Sequence, residues 1–84
     1  MPYRVIIKRS AEKELGSLQK DIQRRIIARL LLLEDNPRSQ GVKKLQGEDA
    51  YRLRLGEYRI LYTIDDGENT VTIYAVGHRR EVYR

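Results

Sequence analysis

Residues 51–64, "YRLRLGEYRILYTI", decide how this chain folds. Tyr51, Leu53 and Leu55 alternate with Arg52 and Arg54, the two-residue period of a strand with one face buried and the other in water. Gly56 and Glu57 interrupt the alternation. It then resumes with Ile60, Tyr62 and Ile64 on one side and Arg59, Leu61 and Thr63 on the other. Two such runs joined by two residues that include a glycine predict an antiparallel hairpin. If its leucines and isoleucines face a core, Arg52, Arg54 and Arg59 emerge together on the opposite side.

Working outward, "TVTIYAV" at 70–76 predicts a last strand ending at Gly77, reached through the turn "DDGEN" at 65–69. Toward the N-terminus, residues 38–50, "RSQGVKKLQGEDA", hold glycines at 41 and 47 and few apolar residues. They read as a loop anchored by Leu45. Before it, Ile22, Ile26, Leu30 and Leu33 recur at helical spacing from Asp21 until Asn36 and Pro37 stop them. A shorter helix is predicted with Ser10 as its N-cap, Glu12 and Glu14 in the first turn, Ala11, Leu15 and Leu18 on one face, and a break near Gly16 and Ser17. The opening "YRVIIK" puts Tyr3, Val5 and Ile7 on one side of a first strand. The expected fold is therefore α+β in the order βααβββ: a mainly antiparallel four-stranded sheet with two N-terminal helices on one face.

The 84 residues suit a single domain, 1–84, with room for one thin core. No cysteine is present, so neither a disulfide nor a thiolate metal site is available, which fits a reducing cytoplasm. No run reaches membrane-spanning length. The net charge of +5 favours an anionic partner, either nucleic acid or an acidic protein. Nine of the 17 basic residues lie in positions 1–40 and eight in 41–84, so any anion site must be assembled by the fold and not by a tail.

Three arginines on adjacent strands repel one another, and phosphate is the natural counter-group for their forked donors. Arg79 and Arg80 follow the last strand and could bring charge to the rim of the same surface. The plain alternative is that all of these are solvated residues of a chain that is 35% charged. Tyr3 and Tyr62 fall on apparent core faces. Tyr83, after "HRREV", has little apolar reason to pack, and a tyrosine beside arginines can stack on a base or hold a reacting oxygen. His78 is the sole histidine, and either a turn residue or a proton-transfer group near neutrality. One histidine without a carboxylate cluster gives no metal site. Phosphate loop, nucleophile elbow and dinucleotide-binding glycine patterns are likewise missing, so no cofactor is expected.

The helix pair closing on "NP", then "GVKKLQG", "YRLRLGEYRILY" and "GHRREVYR", resembles the RelE branch of the RelE/ParE superfamily of bacterial toxins over essentially the whole chain. The last two of these segments are the specific ones. The resemblance implies a cytoplasmic, metal-independent endoribonuclease that enters the ribosomal A site, cuts messenger RNA there and so inhibits translation. It implies a cognate antitoxin as partner, through which the pair would bind operator DNA. By position, Arg59 and Arg79 match phosphate-stabilising arginines and Tyr83 the active-site tyrosine. Arg52 and Arg54 fall where well-studied members carry basic residues, lysines in one of them, that hold the phosphate and assist proton transfer. Because arginine stays protonated, His78 or Tyr83 is then considered for the acid and base roles. Lys43, Lys44 and Arg80 would contact RNA. Competing readings are a ParE-like toxin that poisons DNA gyrase, and a non-catalytic module that only binds RNA or antitoxin.

Overall fold

The computed structural model describes residues 2–39, 41–45 and 50–78. Seven elements follow one another: β1 (Arg4–Ile7), α1 (Arg9–Gly16), α2 (Lys20–Leu32), β2 (Val42–Lys44), β3 (Ala50–Leu55), β4 (Tyr58–Asp65) and β5 (Thr70–His78). The five strands form one sheet in the order β1-β5-β4-β3-β2.

This corrects the sequence-based expectation in two ways. The sheet has five strands and not four, and it is mixed, because β1 runs parallel to β5 while the other three pairings are antiparallel. The extra strand, β2, lies inside the stretch read as a loop. It needs only Val42 to face the core, opposite Leu53, because it is a three-residue edge strand, and lysines at such an edge discourage pairing with another chain. Apolar periodicity cannot detect an element that short. Nor does it name a strand's neighbour, so the parallel placement of β1 was invisible in it.

The hairpin forms where the alternation placed it. Gly56 takes φ +61 as the first central residue of the turn, as a type II′ connection requires. Beyond β4, Asn69 adopts φ 48, a left-handed conformation that asparagine tolerates, and hands the chain to β5. Helix α1 starts at Arg9, so Ser10 lies within its first turn, and neither helix has a side-chain N-cap hydrogen bond. At the end of α1, Ser17 Oγ donates to the Glu14 carbonyl at 2.7 Å.

Both helices cover one face of the sheet. Ala11 and Leu15 of α1, Ile26 and Leu30 of α2, and Leu33 just after it pack with Leu53, Ile60, Tyr62, Val71, Ile73 and Val76 of the strands. Tyr62 is fully buried, and its hydroxyl donates to the Pro37 carbonyl at 2.7 Å, satisfying the one polar atom that its ring carries inward. A second device guards the sheet edge. Past the last residue of β1 no strand among the described residues flanks β5, and there the Val76 amide donates to Glu14 Oε1 of α1 at 3.0 Å.

Candidate functional site

The pairing of β3 with β4 sets Arg52 opposite Leu61 and Arg54 opposite Arg59, while the core residues Leu53 and Ile60 pair between them. Since side chains alternate, Arg52, Arg54 and Arg59 share the face that the helices leave open. In a two-residue hairpin the closing pair, here Leu55 and Tyr58, exchanges both hydrogen bonds. Arg54 and Arg59 therefore form the closer-set type of pair, with Cα atoms about 4.5 Å apart.

Across β4 the next residue in that row is Gly77, which adds no side chain, and on the other flank Lys43 of β2 pairs with Arg52. The result is a basic field two rows deep: Lys43 and Arg52 in one, Arg54 and Arg59 in the other. Its members differ in solvation. Arg54 is exposed and Arg52 half-buried, but Arg59 is only 7% exposed, with Nε and Nη1 screened from solvent. A guanidinium buried this deeply on the central strand of the sheet has little rotational freedom, which suits a positioned anion ligand.

His78 lies elsewhere. It pairs with Tyr58 and follows Val76 by two residues, so it starts from the helix-facing side, where its ring meets Tyr58 edge-on at 5.8 Å between centroids. Lys44, opposite Tyr51, also alternates away from the open face. Arg79, Arg80 and Tyr83 lie outside the described residues. Among the described residues no group of three or more His, Cys, Asp or Glu side chains is placed to hold a metal ion.

One cluster escaped the sequence reading. At the end of the sheet remote from the Gly56–Glu57 turn, Arg38 makes a two-pronged ion pair with Asp66, Nη1 to Oδ1 at 3.1 Å and Nη2 to Oδ2 at 2.8 Å. Its Nε donates to the Tyr51 hydroxyl at 3.2 Å, and Tyr3 donates its own hydroxyl to Asp66 Oδ1 at 2.5 Å. The Arg38 hydrogen bonds hold the Asp66 carboxyl below its ordinary range, while the bond to Asp66 raises the Tyr3 phenol. Arg38 also sits 5.5 Å from the centroid of the Tyr51 ring, which stacks on Tyr62. This cluster ties the loop after α2 to the ends of β1, β3 and β4, and its Tyr51 alternates to the face opposite the basic field. Residues 28 positions apart leave no local sign of such a pair.

A model of the family described as the ParE toxin of the type II toxin-antitoxin system, parDE, matches residues 5–83. The chain belongs to the RelE/ParE toxin family. Within that family it is 37% identical to Toxin RelG of Mycobacterium tuberculosis over all of this chain and 99% of that one, and 34% identical to Toxin RelE of the same organism over 99% and 88%. Among solved structures it superposes on the toxin-antitoxin complex RelBE2 from M. tuberculosis with a TM-score of 0.85 at 33% identity, covering 94% of this chain and 100% of that one. The archaeal RelE-RelB complex from Pyrococcus horikoshii gives 0.84 at 34%, with 98% and 100% covered. Among the described residues of this RelE/ParE chain, no helix is long and apolar enough to cross a membrane.

Proposed function

We propose that this chain is a toxin that cuts messenger RNA in the ribosomal A site, and that a cognate antitoxin binds and restrains it. The observation that carries the reading is the pairing of Arg54 with Arg59, the latter nearly buried, on the face away from the core. Like charges directly across a strand pair are unfavourable in a sheet, and a phosphate seated beside both guanidinium groups would offset that repulsion. The match to complexes of RelE with RelB supports the antitoxin partner.

The proposed reaction uses the RNA's own nucleophile. The 2′-oxygen bonds to the adjacent phosphorus, the bond from phosphorus to the 5′-oxygen breaks, and a 2′,3′-cyclic phosphate and a 5′-hydroxyl result. One proton leaves the 2′-oxygen and one reaches the departing 5′-oxygen. Arg59, with Arg79 as the resemblance implies, neutralises charge growing on the phosphoryl oxygens, while Arg52 and Arg54 seat the phosphate. Permanently protonated, these arginines cannot accept the 2′-proton. Proton transfer falls to Tyr83 and His78, Tyr83 first because the strand pairing starts His78 from the opposite face. Lys43 beside Arg52 extends the phosphate contact, with Arg80 as a further RNA contact, whereas Lys44 starts from the other face; no metal or cofactor takes part, and the antitoxin complex would bind operator DNA.

The test is induction of the chain alone in growing bacteria, with 5′-end mapping of ribosome-bound messages. Cuts within codons occupying the A site are expected. The ParE description of the matching family favours a second reading, poisoning of DNA gyrase. Intact messages together with chromosome breaks would select it.

A further inference from the structure

Helix α2 turns an apolar patch outward. Ile27, Leu31 and Leu32 are 44%, 57% and 58% exposed, and Ala28 between them is exposed too. Folding alone does not reward such a patch. What flanks it is informative. Arg24, Ala28, Leu31 and Asp35 recur at spacings of four, three and four, the spacing at which two packed helices meet, and hydrogen bonds from the Leu33, Glu34 and Asp35 amides to Leu30, Leu31 and Leu32 carry the helical turn on to Asp35.

This seam complements itself. Reversed about the Arg29–Leu30 peptide, Arg24 falls opposite Asp35, Ala28 opposite Leu31, and the flanking Ile27 opposite Leu32. Cation thus meets anion at both ends, and apolar meets apolar between them, with a small residue at the crossing to permit close approach. We propose that the occupant of this face is a second copy of the chain, docked with its α2 antiparallel about a two-fold axis. A foreign helix would require no such internal reversal, whereas an isologous interface does. The patch is small beside the roughly 800 Å² that each partner of a stable complex buries, so the dimer is weak and concentration-dependent. The basic field lies on the other side of the sheet and stays open in it.

The test is sedimentation equilibrium of the free chain between about 5 and 300 µM in about 0.15 M salt. A monomer–dimer equilibrium is expected. Leu31→Glu should weaken it by about tenfold or more, with an unchanged circular dichroism spectrum. Arg24→Asp and Asp35→Arg should each weaken self-association, because each sets like charges opposite one another. An equimolar mixture of those two variants should restore dimer formation as heterodimer. A chain that stays monomeric throughout overturns the proposal, as does association indifferent to Leu31→Glu or a charge-swapped mixture that fails to pair. So does a Leu31→Glu variant that sediments as the native chain while losing affinity for its antitoxin, which would assign the face to that partner.

Discussion

Tyr62 shows how much one side chain can carry in so thin a core. Burial pushes its phenol well above the ordinary value near 10. The unfolded chain therefore ionises first, and stability should fall as pH rises past about 10. Tyr62→Phe should blunt that alkaline limb, while at neutral pH it costs about 1–2 kcal/mol for the Pro37 carbonyl left without its donor; denaturant titration across pH would show both effects. Asp66 works in the other direction. Its carboxyl is held low by Arg38, so its contribution is present above about pH 4 and lost as pH falls through the folded value. Asp66→Asn should remove that part of the acid limb and leave in place the part of the alkaline limb that Tyr62 contributes. In the basic field, Arg54→Gln relieves the repulsion across the hairpin. The free protein should become more stable by about 0.2–1 kcal/mol while its cleavage rate falls. A variant both less stable and fully active would show that Arg54 serves the fold alone. For proton transfer, single-turnover cleavage by Tyr83→Phe should be slower than by His78→Ala.

At the scale of elements, the hairpin was legible because three separate signals agreed on it: alternation before the turn, alternation after it, and a glycine where positive φ is needed. Gly56→Val would force a β-branched residue to φ +61, and although no atom stands in its way, stability should drop by about 1–2 kcal/mol in thermal melts. The short edge strand β2 was illegible for the opposite reason. A single valine contributes no period, and its place is fixed by pairing with β3, which only the fold reveals. Glu14 is similar. In sequence it is an acidic residue suited to a helix start, yet its carboxylate accepts the Val76 amide 62 positions away. Glu14→Ala should therefore destabilise the protein by about 1 kcal/mol and speed hydrogen exchange at Val76 ahead of the rest of β5.

For the molecule as a whole, the same alternation that reveals the core face also reveals what the opposite face holds, which is why Arg52, Arg54 and Arg59 group together in the sequence alone. What sequence could not supply was their unequal solvation, since the depth of Arg59 depends on neighbours brought in by the whole sheet. Nor could it show that the strand pairing starts His78 from the other side. The central claim is that Arg59, fixed within the sheet, balances charge on a scissile phosphate. Its most direct test is cleavage of a defined message on purified ribosomes by equal amounts of folded native chain and Arg59→Ala. The native chain should cut at the A-site codon and leave a 2′,3′-cyclic phosphate, and the variant should cut about a hundredfold more slowly or worse. Equal cutting by the two proteins, or none by the native chain, would contradict it.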